Sequence, residues 1–351
     1  MRPALRLEGL ELDGGWKVIQ QLHRSPTDTG GYFSVAYKAV DKNGKEAFLK
    51  ALDFSKAFQS PDPARELQAM TEAYNFERDL LNKCKEQRLS KIITPVADGK
   101  VVVPGEIGPL GVVMYLIFEL AEGNIRQLYK LSRNIDLAWC LRSLHNTAVA
   151  LKQLHSHGIA HQDLKPSNVL VFKDEIIKET EFKVSDLGSA SDKTSPFAND
   201  DLQMPGDMGY APVELFYGYR ITNEFYRRYG IDIYHLGSLI FFYFADISAT
   251  QAIKVKLKGH LGSPLTGNNF INDLPYIRKA FFEAVNDLEQ NIRTKAGNLT
   301  DEIITIVKEL CEPDPGKRGH PRDRNSNPYS LERYISKLDL LTNKAEYMLK
   351  K

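Results

Sequence analysis

The sequence predicts an α+β fold in two parts, a small β-rich lobe with one main helix followed by a larger helical lobe. Two features of the apolar pattern predict it. The first third alternates or runs apolar in short segments separated by turn signals. From about Glu122 onward, apolar residues recur at three- and four-residue spacing. A length of 351 residues suits one large domain or two lobes sharing a cleft.

The elements follow in order. "WKVIQQLH", "FSVAYKAV" and "KEAFLKAL" read as strands, the last two divided by the turn "DKNG". "PARELQAMTEAYNFERDLLNKCKEQ" has helical spacing, with Met70, Tyr74, Phe76, Leu80 and Leu81 as its apolar set. "KVVVP" and "VVMYLIF" are two further strands, and the lobes join near Glu119–Gly123. "NIRQLYKLS" is helical, and so is "LAWCLRSLHNTAVALKQLHSHG", which places Leu141, Leu144, Ala148, Leu151 and Leu154 on one stripe. "LPYIRKAFFEAVNDLEQNIRTKAG" does the same with Ile277, Phe281, Val285, Leu288 and Ile292. That stripe reads first as core packing and second as a docking groove. The tail "YSLERYISKLDLLTNKAEYMLKK" reads as a helix packed on the larger lobe. The expected divisions are an N-terminal extension at 1–15, the small lobe at 16–119, the large lobe at 120–322 and the tail at 323–351.

Composition narrows the function. A formal net charge of +1 gives no whole-surface reason to bind nucleic acid or an anionic membrane. Cys84, Cys140 and Cys311 are scattered and odd in number, which argues against a disulfide framework and for a reducing compartment. The start, "MRPALRLEGLELDGG", carries acidic residues and no long apolar run, so it is not a signal peptide. "GVVMYLIF" and "GSLIFFYFA" fall well short of the ~20 residues of a membrane span. The expectation is a cytoplasmic protein.

Chemistry concentrates in "HQDLKPSNVLVF" and "FKVSDLGSA". Phosphoryl transfer from a nucleotide needs an aligned γ-phosphate, divalent metal to neutralise it, and an attacking hydroxyl held in line. A hard cation takes oxygen ligands, which Asn168 and Asp186 supply. Asp163 can accept the hydroxyl proton, and Lys165 can set a point charge against the transferring group.

These stretches resemble a eukaryotic-type (Hanks-type) protein kinase, over about residues 16 to 320, which implies a bilobal kinase-like fold. The catalytic loop H-R-D-L-K-x-x-N is matched at His161, Asp163, Leu164, Lys165 and Asn168. D-F-G is matched at Asp186, Leu187 and Gly188, and the strand lysine of V-A-I-K at Lys50. The resemblance implies ATP with Mg²⁺, Mn²⁺ being the alternative metal, and a protein substrate. Lys50 would hold the α- and β-phosphates and needs a carboxylate from the following helix. Glu77 is chosen over Glu66 and Glu72, with Glu72 left open. Aligning the phosphate loop on Val35 sets its three glycine positions at Asp28, Gly30 and Phe33, with Gly31 beside the middle one. This departs from G-x-G-x-x-G and implies a loose phosphate lid, or a plain hairpin turn. Val35, Ala47 and Leu170 would sandwich adenine, or serve simply as core residues. Phe118 would back the base pocket, and the backbone of Glu119 and Ala121 would bond the base.

Lys165 implies Ser/Thr as the acceptor, and small-molecule kinases of related fold generally lack it. "GYAPVEL" resembles Y-x-A-P-E with Glu214 in the Glu position, and Arg318 of "EPDPGKR" would pair with it. "GIDIYHLG" resembles D-x-W-S-x-G and puts Asp232 on a central buried helix. The family's Thr before the Tyr-Ala-Pro segment is replaced, and Asp207 lies in "GDMGY". His161 is expected to pack under the loop with its ring nitrogens bonded to backbone. Gln162 stands where many relatives carry an Arg that grips an activation-segment phosphate, so activity should not require that phosphorylation. Two alternatives remain, a pseudokinase that binds nucleotide without transfer and a small-molecule kinase.

Overall fold

Short strands near the N-terminus build one antiparallel sheet of six, in the order β1-β2-β3-β4-β6-β5. These are β1 (Glu11–Leu12), β2 (Trp16–Leu22), β3 (Ser34–Val40), β4 (Glu46–Leu52), β5 (Pro95–Val102) and β6 (Val112–Glu119). The computed structural model describes residues 2–23, 34–106, 108, 111–131, 136–173, 180–221, 223–261 and 269–349. It divides into two units, Met1–Gly123 with Asp186–Gly188, and Asn124–Ser185 with Ser189–Lys351.

In the first unit, alternation along β4 sends Ala47, Leu49 and Ala51 into the core and leaves Phe48 and Lys50 on the other face. Cross-strand partners share a face. Val35 opposite Ala51 and Tyr37 opposite Leu49 therefore join that core, as do Tyr115 and Ile117 of β6. Burying a side chain such as Leu49 contributes about 1.5–3 kcal/mol. The first residues are part of this core, since Ala4, Leu7 and Leu12 are buried in it. Tyr37 donates its hydroxyl proton to the Ala4 carbonyl at 2.6 Å, and Arg2 pairs with buried Asp53 at 2.6 Å. Burial raises the Asp53 carboxyl, but Ser55 and Arg2 more than offset this and leave it below the usual range.

The main helix of this unit is α1 (Pro63–Glu86). Asp62 caps its N-terminus by accepting the Arg65 N–H, Pro63 occupies the first turn, and Lys83 and Lys85 lie in the last. Its buried stripe is Met70, Tyr74, Glu77, Leu80, Leu81 and Cys84. Phe76, expected on that stripe, is only half-buried. A 3₁₀ turn, Phe54–Gln59, takes up part of the long run between Lys50 and the helix. A two-residue strand, β7 (Gly123–Asn124), ends the segment.

The second unit is mainly helical. It contains α2 (Ile125–Leu131), α3 (Leu137–Ser156), α4 (Glu224–Ala245), α5 (Ala249–Leu261), α6 (Phe270–Ala296), α7 (Thr300–Leu310) and α8 (Glu332–Leu349). Its strands are β8 (Ile159–Ala160), β9 (Val169–Lys173), β10 (Thr180–Val184) and β11 (Ser191–Asp192). Strand β9 pairs with β10 and β8 with β11, both antiparallel. All five stripe residues of α6 are buried, which is core packing. Helix α8 packs along α3, joined by Lys152–Glu332 and Arg142–Glu346 ion pairs. Of the basic residues on α5, Lys256 meets Asp287 and His260 meets Glu283. No single helix among the described residues is long and apolar enough to cross a membrane.

Candidate active site

The second unit holds the loop from His161 to Asn168, between β8 and β9, and nearly all of it is buried. Asp232, fully buried in α4, is its fixed point. Its carboxylate accepts the His161 N–H at 2.8 Å and the Gln162 N–H at 2.7 Å, and lies 2.8 Å from the His155 ring. Burial raises that carboxyl, while His155, His161 and the Gln162 N–H outweigh it and hold it low. These bonds keep Gln162 at φ +60, a conformation that costs a non-glycine residue about 1–3 kcal/mol.

His161 is fully buried, with backbone on both sides of its ring. Asp163 N–H donates to Nδ1 at 3.2 Å, so Nε2 carries the proton and donates to the Ser185 carbonyl at 3.0 Å. The ring aims Asp163 and has no free nitrogen for proton transfer.

Around Asp163 the polar groups converge. Lys165 donates to Oδ2 at 2.8 Å, and the Asp207 N–H donates to Oδ1 at 2.7 Å. Asn168 gives its Nδ2–H to the Asp163 carbonyl at 2.9 Å, and its Oδ1 has a long 3.4 Å contact from Ser167. Leu170, two residues on in β9, is half-buried opposite Lys183.

The first unit holds the other groups. Lys50 places its ammonium 2.7 and 2.8 Å from the two oxygens of Glu77. Glu77 is buried in α1, whereas Glu72 is exposed and accepts from Gln68. The carboxylate at Lys50 is therefore Glu77. Phe118 is buried on the Lys50 face of the sheet, 6.5 Å ring to ring from Phe48. Glu119 ends β6, and Ala121 follows it. Asp186 sits at φ +64, a region Asp tolerates better than most residues.

Strand register corrects two expected adenine contacts. Val35 and Ala47 lie on the core face, opposite Lys50. Ala36, which pairs directly with Lys50, and Phe48 occupy the Lys50 face instead. The alignment on Val35 was one residue out, and in a strand a one-residue slip exchanges the two faces. Gly30, Gly31, Asp28 and Phe33 lie outside the described residues.

A family model described as the protein kinase domain matches residues 29–330. The chain belongs to the protein kinase family. Its fold, a β-sheet unit with one main helix followed by a helical unit, is the bilobal kinase fold. Similar proteins include a probable serine/threonine-protein kinase of Clostridium acetobutylicum, 24 % identical over 69 % of this chain and 36 % of that protein. The human hormonally up-regulated neu tumor-associated kinase is 25 % identical over 64 % of this chain and 27 % of its own length. The probable serine/threonine-protein kinase PknB of Lactococcus lactis is 27 % identical over 48 % of this chain and 25 % of its own. The matches thus span about a quarter to a third of these relatives' lengths.

Kinase chemistry requires divalent metal held by hard oxygens and phosphate. Among the described residues no group of three His, Cys, Asp or Glu could form a metal cage by itself. Each unit taken by itself offers one hard-oxygen donor of the kind such an ion takes. Asn168 offers its Oδ1, and Asp186 contributes a carboxylate.

Motif reading leaves three sets of contacts unseen, the first being the backbone partners of Arg318. Arg318 forms a two-pronged buried pair with Glu214, at 2.8 and 2.9 Å, and also bonds the Glu312 and Gly230 carbonyls. The pair was expected, but its carbonyl partners were not. Burial would lower the Arg318 guanidinium, and Glu214 more than reverses that. Asp200 of the activation segment lies 3.3 Å from Arg228 of α4, and Arg227 donates to its carbonyl at 3.3 Å. The third is the Asp207 contact with Asp163, made across 44 positions of sequence, with no local pattern to reveal it.

Proposed function

We propose that the chain is an ATP-dependent serine/threonine protein kinase that transfers the γ-phosphoryl group of Mg-ATP to a protein hydroxyl. The observation that carries this is the Asp163 carboxylate, fixed by Lys165 on one oxygen and a backbone N–H on the other, beside an Asn168 whose amide N–H is given to the Asp163 carbonyl. In this reading Lys50 binds the α- and β-phosphates and Glu77 keeps its flexible stem aimed. Asp163 orients the acceptor hydroxyl and takes its proton as the new O–P bond forms. The bond from the γ-phosphorus to the β–γ bridging oxygen breaks, and ADP leaves. Lys165 sets positive charge against the transferring group. Asn168 and Asp186 would hold magnesium, which would supply positive charge against the phosphates.

The reading extends to regulation and compartment. Gln162 donates its side-chain N–H to the Ser189 carbonyl at 3.2 Å, and Arg228 and Arg227 hold Asp200. Both contacts support an activation segment that is ordered without phosphate. Three buried cysteines that form no disulfide support a reducing compartment, and we assign the chain to the cytoplasm. Recovery in a secreted or membrane fraction would overturn that assignment.

The test is to incubate the purified chain with Mg-ATP and a generic protein acceptor, weigh both intact, and map the sites. Wild type should add phosphate to Ser or Thr, and Asp163→Ala and Asp186→Ala should not. Nucleotide binding without transfer would favour a pseudokinase. ATP consumption only when a metabolite is supplied would favour a small-molecule kinase.

A further inference from the structure

Asp207 offers two different groups to the catalytic loop. Its backbone N–H donates to Asp163 Oδ1 at 2.7 Å. Its side-chain Oδ2 lies 3.7 Å from the Lys165 ammonium, which also donates to Asp163 Oδ2 at 2.8 Å. Lys165 thus stands between two carboxylates and is itself 6 % exposed. The other oxygen of Asp207 accepts the Gly209 N–H at 2.8 Å, and its carbonyl accepts from Tyr210 and Ala211. These bonds close a tight turn that sets the side chain in place.

The residue before it shows how close the approach is. Gly206 has φ +75, and a Cβ there would sit 2.6 Å from Asp163 Oδ1 and 2.7 Å from the Gln162 carbonyl. Only glycine lets this stretch of backbone lie against the catalytic carboxylate.

We propose that Asp207 is a positioning residue of the reaction: its backbone N–H fixes the Asp163 carboxylate, and its side-chain charge divides Lys165 between Asp163 and itself. The inference rests on the kinase reading above. A lysine committed wholly to Asp163 would be drawn toward the base and away from the transferring phosphoryl group. A second carboxylate behind it offsets that pull. An uncharged residue at 207 keeps the backbone bond and loses the balance.

Asp207→Asn separates the two contributions, because its amide oxygen still accepts the Gly209 N–H while the charge is gone. With a protein acceptor, kcat should fall about tenfold, the effect of a sub-ångström displacement of a reacting group. The KM for ATP should stay within twofold. Asp207→Ala should fall at least as far. In a Lys165→Ala background, Asp207→Asn should change nothing further, because the residue acts through Lys165. Wild-type kcat in Asp207→Asn, or an equal loss in the Lys165→Ala background, would overturn the proposal, as would a loss confined to the KM for ATP. A second measurement needs no turnover. In ¹H–¹⁵N spectra of the full chain, the Asp207 amide proton should move upfield on Asp163→Ala. An unmoved resonance would overturn the backbone contact. If wild type transfers no phosphate at all, the kinase reading fails, while the amide shift still decides this contact.

Discussion

Lys50 carries a compact charge on a four-carbon stem, so its usefulness depends on what holds it still. Both oxygens of Glu77 do so, and Glu77 is itself buried in α1. Glu77→Ala should lower kcat/KM for ATP about a hundredfold, or near 2.7 kcal/mol of transition-state stabilisation. Glu72→Ala should stay within twofold, because Glu72 is exposed on α1 and accepts from Gln68 rather than from Lys50. Steady-state kinetics of the two variants checks this, and equal losses would refute the assignment. The same scale shows what could be read beforehand. Lys50, Asp163, Asn168 and Asp186 were legible because each falls in a short motif whose spacing is itself chemistry. Val35 and Ala47 were misplaced because a strand offers two faces, and only the pairing of Ala36 with Lys50 says which is which. Asp232 was legible as buried, but not as the acceptor of the His161 and Gln162 N–H groups 71 and 70 positions away.

Elements add constraints that no single residue shows. The activation segment is tied down at three points: Ser191 and Asp192 of β11 pair with β8, Asp200 meets Arg228 of α4, and Asp207 meets Asp163. All three are made without a phosphate. Replacing Ser189, Ser191, Thr194 and Ser195 together with Ala should leave the initial rate within a few-fold, and a collapse of activity would refute phosphate-independence. Arg228→Met should reduce the rate more than that fourfold replacement does, because Arg228 and Asp200 are both largely buried. Further along, Glu214 and Arg318 join the end of this segment to the loop before α8. Arg318→Met should destabilise by about 3–5 kcal/mol by stranding a buried carboxylate. Chemical unfolding measures it, and a loss under 1 kcal/mol would mean that Glu214 finds another partner. The helices themselves were legible from their 3.6-residue stripes, as α3 and α6 illustrate. Phe76 strayed from its stripe because one face of α1 is occupied by Glu77, a charge that periodicity would place in solvent.

At the scale of the whole molecule, acid lability follows from two buried groups on one helix. His235 is buried in α4, and neither ring nitrogen has a hydrogen-bond partner among the described residues. Burial pushes its pKa down to about 3, the nearby Asp232 charge raising it only in part. The unfolded chain binds a proton at this histidine below about pH 6.5, whereas the folded chain does not until about pH 3. Between those values the unfolded state holds more protons, so stability falls as pH falls, by about 1.4 kcal/mol per unit from this group alone. Asp232 acts in a lower window. Its carboxyl is held below the usual range, so its contribution is complete above about pH 4 and is lost as pH drops through its depressed pKa. The two windows can be separated by substitution. His235→Leu keeps a buried side chain of similar size and removes the titration. Its unfolding free energy should therefore lose about 3 kcal/mol less than wild type between pH 6.5 and 4. The steep loss below pH 4 should remain. Urea unfolding at half-unit pH intervals, followed by the fluorescence of Trp139, which packs on Phe182 in the same unit, reads the slope directly. Identical slopes in the two proteins would mean that His235 is protonated in the folded state, and that the acid lability of this kinase lies in its carboxylates alone.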